Sequence, residues 1–85
     1  MQIFYSPEFC KEYKKLPQEI KDKAKEKEKI LAKYPFDKRL KTHKLQGKLN
    51  DYWAFSIDYK YRIVFGFHTE NIIRFYAIGT HSIYK

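Results

Sequence analysis

The spacing of the apolar residues changes once along the chain, from a helical period to a strand period. Across residues 7–34 apolar side chains recur three or four positions apart, which predicts amphipathic helices. Across residues 52–78 they alternate with polar side chains, which predicts half-buried strands. Helices followed by a run of strands are typical of an α+β fold.

Turn and cap residues divide the helical part into two helices. Ser6 can cap the first helix and Pro7 suits its first position, while Pro17 and Pro35 bound the second. The apolar stripe of the first helix comprises Phe9, Tyr13 and Leu16. The stripe of the second helix comprises Ile20, Ala24, Ile30, Leu31 and Tyr34. We therefore predict a helical hairpin that packs one face against the sheet.

The strand part predicts a mostly antiparallel, twisted sheet, because short connections join the alternating segments. The segments are residues 53–58, 59–67 and 72–78, with a turn at 68–71. Residues 1–5 form a further short strand, either at the edge of the sheet or second from it. The expected order is β-α-α-β-β-β, with both helices on one face of the sheet. The opposite face would remain open for a ligand.

Alternation also predicts which face each strand residue occupies. It places Arg62 on the face opposite Phe65. A turn symmetric about residues 69–70 would pair Arg62 with Ala77 and Phe65 with Arg74, and a slip of one residue would change these pairs.

Half of the net charge of +8 lies in one short segment, residues 35–50. Asp37 is the one acid among residues 35–50, which carry five bases: Lys38, Arg39, Lys41, Lys44 and Lys48. Such a segment attracts phosphates, so we expect nucleic acid or an acidic protein as partner. A surface that only aids solubility is the alternative. At 85 residues the chain is expected to be one domain, 1–85.

Several other features narrow the class of protein. Cys10 is the one cysteine and lies in a helical pattern, so we expect a small buried residue. Three scattered histidines without clustered carboxylates predict no metal site, and no cofactor is expected. Without a signal peptide or a long apolar run, the sequence predicts a cytoplasmic protein with no membrane partner.

Three motifs in a fixed order then resemble a known family. A K-L-x-G turn occupies residues 44–47, a Y-R-I-V-F strand residues 61–65, and a G-T-H segment residues 79–81. Together, at this spacing and chain length, they resemble the RelE/ParE superfamily, the toxins of type II toxin–antitoxin pairs. The resemblance covers essentially the whole chain and implies a RelE-like fold.

The resemblance also implies a function. The RelE/YafQ-like branch consists of ribosome-dependent endoribonucleases that cut mRNA by attack of the 2′-OH on the adjacent phosphate. A cognate antitoxin would bind the chain in a heteromeric complex, and operator DNA would be contacted only through that antitoxin. Two alternatives stay open: a non-cleaving DNA gyrase inhibitor of ParE type, and a catalytically inactive basic relative that binds nucleic acid.

The same resemblance, residue by residue, implies the site. His81 matches a catalytic histidine of YafQ-like toxins, His43 a second histidine, Arg62 the arginine of the Y-R motif and Tyr84 a C-terminal tyrosine. An ordinary alternative for Arg62 is a structural pair with Asp58 or Glu70. RNA and ribosome contacts are expected from Lys38, Arg39, Lys41, Lys44, Lys48 and Lys60.

This chain departs from the YafQ-like pattern at three positions. A histidine and an aspartate of the central strands are replaced by Ser56 and Lys60, and an arginine before the last histidine by Ala77. RelE-like toxins instead use Lys and Arg, a mechanism that Arg62, Lys48 and Lys60 could serve.

Overall fold

The chain begins with a short strand that leads directly into a capped helix. The computed structural model describes residues 1–49 and 51–80. Strand β1 spans Gln2–Tyr5 and helix α1 spans Pro7–Lys14. The Ser6 hydroxyl accepts the amide of Phe9 at 3.0 Å, and Pro7 opens the helix, as the sequence predicts.

Helix α2 spans Gln18–Lys33 and follows Pro17 as expected. Ile20, Ala24 and Leu31 are buried, which confirms most of the predicted stripe. Tyr34 was expected to widen this stripe, but its side chain is 68% exposed. The reason is that the helix ends at Tyr34, whose backbone is extended, so the helical spacing that defines the stripe no longer holds there.

Two short 3₁₀ helices and four further strands complete the described fold. Lys38–Leu40 and Gly47–Leu49 are the 3₁₀ helices, and they flank β2, His43–Lys44. The remaining strands are β3, Trp53–Ser56; β4, Tyr61–Thr69; and β5, Ile72–Thr80. Strand β2 was not predicted, because two residues are too few to establish a period.

In the described residues the strands form one sheet in the order β1-β5-β4-β3-β2. All neighbours are antiparallel except β1 and β5, which are parallel. The prediction of a mostly antiparallel sheet is therefore confirmed, and of the two positions expected for β1 the structure has the edge. Strand β1 can lie parallel to β5 because the entire hairpin and the other strands intervene in sequence.

The predicted pairing of β4 with β5 is wrong. Arg62 pairs with Gly79 rather than Ala77, and Phe65 pairs with Phe75 rather than Arg74. The turn lies later than expected, since Thr69 pairs with Ile72, and irregularities after Val64 and after Phe67 shift the register further.

The main core lies between the helices and one face of the sheet. Phe55, Phe65 and Phe75 are fully buried at its centre, and Phe75 contacts Phe9 of α1 with ring centroids 5.3 Å apart. Aromatic pairs in this geometry stabilise beyond the area that they bury. Residues one position away on each strand face the other side, as the alternation predicts.

The opposite face of the sheet is not as open as expected. Leu45, Ala54 and Val64 are buried there, and Leu49 and Tyr52 pack beside them. The segment between β2 and β3 therefore covers part of this face. The remainder, toward the start of β4, is where Arg62 lies.

Candidate functional site

Arg62 lies on β4, the central strand of the sheet, which is hydrogen-bonded to β3 on one side and to β5 on the other. Its partners in the ladders are Ser56 on β3 and Gly79 on β5. The side chain is half-buried, and its Nη1 donates to the main-chain carbonyl of Asp58 at 2.6 Å and to that of Tyr61 at 3.0 Å. Two carbonyl acceptors hold one edge of the guanidinium and fix its position.

The expected ion-pair alternative for Arg62 is not what the structure contains. Within residues 1–49 and 51–80, the ion pair in direct contact joins Arg39 to Asp37 at 2.9 Å. Arg62 contacts the backbone of Asp58 instead of its carboxylate. Its positive charge is therefore positioned without being neutralised by direct contact with a described carboxylate.

Asp58 shapes the turn that precedes β4 and Arg62. Its carboxylate accepts the amides of Lys60 at 2.8 Å and Tyr61 at 2.7 Å. Burial raises the pKa of this carboxyl, but the two amides, with the charges of Lys23 and Arg62, outweigh burial and leave the pKa lowered. Asp58 thus remains ionised and organises the turn.

His43 lies on β2, at the edge of the sheet. Its Nδ1 is 3.0 Å from the carbonyl of Lys41, and because a carbonyl only accepts, Nδ1 carries the proton in the neutral ring. The lone pair is then on Nε2. His43 pairs with Ala54, so it shares a face of the sheet with Arg62, two strands away. The strand spacing places their Cα atoms about 12 Å apart.

The predictions for His81 and Tyr84 lie outside the described residues. Strand β5 is described as far as Thr80, which pairs with Tyr61, next to the pairing of Gly79 with Arg62. The Gly-Thr part of the G-T-H segment is therefore beside the predicted arginine. His68, the third histidine, is exposed near the end of β4.

The six basic residues expected to contact RNA are all exposed, but they do not form one continuous group along the sequence. They are Lys38, Arg39, Lys41, Lys44, Lys48 and Lys60. Lys44 pairs with Trp53 on the helix-side face, whereas its neighbour His43 faces the Arg62 side. Lys60 lies in the turn before β4. Lys38 and Arg39 lie beside Phe36, and Lys44 lies on the edge strand β2, so of these six bases Lys60 is the one close to Arg62 in sequence.

Arg39 differs from the other five because it has a carboxylate partner. Its Nε and Nη2 donate to the two oxygens of Asp37 at 3.0 and 2.9 Å. Hydrogen bonds from the Arg39 side chain and backbone lower the pKa of Asp37 to about 2. The charge of Arg39 is therefore partly neutralised by Asp37 within the same loop.

Sequence reasoning missed a group of aromatic rings beside this loop. Phe36 is 61% exposed and contacts Trp53 and Phe67, with ring centroids 5.2 and 6.0 Å away. The Tyr-Pro-Phe run at residues 34–36, between Lys33 and Lys38, was the available signal. Its contact with two distant strands is a tertiary feature that periodicity does not reveal.

Cys10 is exposed, and the expectation that it would be buried is wrong. It lies on the face of α1 that borders a cleft of about 490 Å³ between the two helices and β1. Phe9, one position earlier, takes the buried direction instead. At the same cleft Tyr5 donates to the carboxylate of Glu28, and burial together with that carboxylate raises the pKa of Tyr5.

In the part of the chain that the structure describes, no three side chains among His, Cys, Asp and Glu lie together as a metal site would require. In the same residues no helix is both long and apolar enough to cross a membrane.

The comparisons with known proteins identify the fold. No protein-family model matches the sequence, and no curated protein sequence matches it. Among solved structures, YafQ from E. coli strain BL21(DE3) superposes with a TM-score of 0.80 at 24% identity, over 96% of this chain and 94% of that one.

Two other structures extend the comparison. The E. coli DinJ-YafQ toxin–antitoxin complex matches with a TM-score of 0.78 at 26% identity, over 96% of this chain and 93% of that one. A YoeB/ParE toxin from Agrobacterium tumefaciens matches with a TM-score of 0.80 at 16% identity, over 95% and 99%. The chain thus has the RelE-like α+β fold, and the predicted resemblance to the RelE/ParE superfamily is confirmed.

Proposed function

We propose that the chain is the toxin of a type II toxin–antitoxin pair and cleaves mRNA on the ribosome. The observation that carries this proposal is the position of Arg62, held on the central strand by two carbonyls and paired with Gly79 of the G-T-H segment. The toxins among the structural neighbours support the same class of protein. The cytoplasm is the corresponding compartment.

The reaction needs three contributions from the protein. The 2′-oxygen forms a bond to the adjacent phosphorus as the bond to the 5′-oxygen breaks, leaving a 2′,3′-cyclic phosphate and a 5′-OH. A base takes the 2′-OH proton, an acid protonates the departing 5′-oxygen, and a cation stabilises the charge that builds up on the phosphoryl oxygens.

Arg62 is suited to the third contribution. One edge of its guanidinium is anchored by the carbonyls of Asp58 and Tyr61, and the planar group can present other N–H donors to a phosphate. We assign proton transfer to His81, with His43 and Tyr84 as further catalytic residues. These three assignments come from the family resemblance.

RNA and partner contacts complete the proposal. The exposed bases Lys38, Arg39, Lys41, Lys44, Lys48 and Lys60 would contact the phosphates of rRNA and mRNA. A cognate antitoxin would neutralise the toxin in a heteromeric complex, as the DinJ-YafQ toxin–antitoxin complex exemplifies for YafQ. Operator DNA would be reached through the antitoxin.

Expression of the chain in bacteria tests this function. We expect growth arrest, with primer extension revealing mRNA cuts inside translated frames. Arg62→Ala and His81→Ala should relieve arrest and remove the cuts while circular dichroism reports a folded chain. Arg74→Ala is the matched control, because Arg74 is an exposed arginine on β5 that lies over the ring of Tyr76. Arrest without any mRNA cuts would contradict the nuclease.

Gyrase inhibition is the second candidate, favoured by the likeness to the YoeB/ParE toxin. A gyrase inhibitor needs no general base, so it would arrest growth whether or not His81 is replaced. Inhibition of supercoiling by the purified chain, without RNA cleavage, would support it. Absence of both activities and of any growth defect would indicate a catalytically inactive relative.

A further inference from the structure

Phe36, Trp53 and Phe67 form a partly exposed group of rings on the helix-side face of the sheet, which we call the aromatic platform. Phe36 meets Trp53 edge to face at 5.2 Å and stacks on Phe67 at 6.0 Å, while Trp53 and Phe67 are 5.7 Å apart. Trp53 and Phe67 are half-buried, but Phe36 is 61% exposed. A large apolar ring is therefore presented to solvent.

The loop that carries Phe36 is held in place by its own hydrogen bonds. The amide of Asp37 donates to the carbonyl of Tyr34 at 3.0 Å, and the hydroxyl of Thr42 donates to the carbonyl of Pro35. Leu40, fully buried, anchors the same loop in the core. The exposed ring is thus preorganised, which reduces the entropy lost when a ligand binds.

Positive charge surrounds the platform. Lys44 is the ladder partner of Trp53, so the two side chains leave the sheet on the same face with Cβ atoms about 5 Å apart. Lys33 and Lys38 line a cleft of about 570 Å³ together with Phe36 and Tyr34, which is 68% exposed. The acid at this cleft, Asp37, is bound by Arg39.

We infer that the aromatic platform binds single-stranded RNA, with unpaired bases stacking on Phe36 of the platform and on the neighbouring Tyr34, and with the lysines contacting phosphates. Exposed rings bordered by cations bind single strands, whose bases have free faces, whereas the bases of a duplex are already stacked. The choice of RNA over DNA rests on the proposed function. The binding itself requires neither cleavage nor the ribosome.

The platform is separate from the proposed cleavage site. Along β4, Phe67 follows Arg62 by five residues, or about 16 Å, and the two side chains leave opposite faces of the sheet. The platform would therefore hold RNA that does not itself occupy the cleavage site. A strand passing around the sheet edge at β2 could reach both.

A binding experiment with the intact protein tests this inference. Trp53 is the one tryptophan, so its fluorescence reports on the platform directly. The probe is a 2′-O-methyl oligonucleotide of about eight nucleotides, a length typical of single-strand sites, which lacks the nucleophile for cleavage. Saturable quenching is expected, and anisotropy of the labelled probe gives the Kd independently of Trp53.

Phe36→Leu should weaken this binding at least fivefold, because stacking on an aromatic ring typically contributes that much or more. Phe36→Tyr keeps a ring and should bind as the wild type does. Phe4→Leu is the matched control: Phe4 is 52% exposed on β1, at the opposite edge of the sheet, and its loss should leave the Kd unchanged. Thermal melts establish that each variant is folded.

Two results would overturn the inference: equal effects of Phe36→Leu and Phe4→Leu, or equal binding of a duplex of the same sequence. Binding of the probe at the platform does not depend on whether the protein cleaves mRNA. Arg62→Ala should keep the platform's affinity while mRNA cleavage is lost. If the wild type cleaves no mRNA but binds the probe through Phe36, the proposed function fails and the inference holds.

Discussion

Gly47 adopts a backbone conformation, φ 70°, that residues with a Cβ rarely take. A Cβ built on this residue would meet no atom within 4 Å, so a substitution adds backbone strain without a steric clash. The residue opens the 3₁₀ helix that carries Lys48 and Leu49. The last position of the K-L-x-G motif is therefore suited to glycine because the backbone there is left-handed.

Gly47→Ala should lower the free energy of unfolding by about 1 kcal/mol, the cost of the left-handed conformation for an L-residue. Gly47→Asn should cost less, because Asn tolerates this region better. Urea denaturation of both variants measures the difference. An alanine variant as stable as the wild type would mean that the loop relaxes to another conformation.

The lowered pKa of Asp37 can be measured directly. Hydrogen bonds from Arg39 lower this pKa to about 2, below the ~3.9 of a free aspartate. Ionised Asp37 thus favours the folded chain above pH ~3.9, and the contribution is lost as the pH falls through the folded pKa. NMR titration of the Asp37 carboxyl should return a midpoint of about 2.

Arg39→Gln should move that midpoint toward the free value, because the two donors that favour the carboxylate are removed. Lys38→Gln, at the neighbouring position, is the control and should leave the midpoint near its wild-type value. An equal shift in both variants would indicate general surface charge rather than the specific pair.

The thiol of Cys10 should react in the native protein. Because the side chain is exposed and the chain has one cysteine, a disulfide reagent such as Ellman's should titrate one thiol without denaturant. Cys10→Ser provides the blank. If labelling requires urea, the residue is covered in solution and the orientation of α1 differs from that described.

At the scale of elements, Ser6 connects three parts of the fold. Its hydroxyl accepts the amide of Phe9 in α1 and donates to the carbonyl of Tyr76 in β5 at 3.1 Å. Its own amide donates to the carbonyl of Phe75 at 2.9 Å. The residue is 3% exposed, so water cannot readily replace these partners.

Ser6→Ala should therefore destabilise the protein by about 1–3 kcal/mol, which combines a lost helix cap with a buried carbonyl left without its donor. Ser6→Thr keeps the hydroxyl and should retain most of the stability. Thermal or urea unfolding measures both variants. Equal losses for alanine and threonine would point to packing around Cβ instead of the hydroxyl.

How far the sequence predicts each element depends on its length and on its local signals. The helices follow from Ser6, Pro7 and Pro17, because caps and periodic stripes act within a few residues. Strand β2 and the pairing of Arg62 with Gly79 do not follow, since a two-residue strand has no period and local irregularities change the register.

The candidate site likewise has some features that local sequence patterns predict and others that they do not. Alternation is sufficient to put Arg62 on the face opposite the main core, whereas its functional role is a prediction from the resemblance of the Y-R motif. Its anchoring by the carbonyls of Asp58 and Tyr61, and the contact of Phe36 with Trp53, depend on the turn geometry and the tertiary fold. Such contacts join segments that share no local pattern.

At the scale of the whole molecule, the placement of charge matters more than its sum of +8. Lysines occur both on α2, where Lys25 and Lys29 border the cleft near Cys10, and beside the aromatic platform. If RNA is attracted by net charge alone, removing lysines from either group should weaken its binding equally. If RNA binds at the platform, only the loss of the lysines beside the platform should weaken its binding.

The salt dependence of RNA binding distinguishes these cases. Each phosphate contacted on a single strand contributes about 0.7 to the slope of log affinity against log salt concentration. Lys38→Gln with Lys44→Gln, beside the platform, should reduce the slope for the 2′-O-methyl probe by about 1.4. Lys25→Gln with Lys29→Gln removes the same charge from α2 and should leave the slope unchanged. Equal reductions in the two double variants would show that RNA follows the total charge and not the surface beside Trp53.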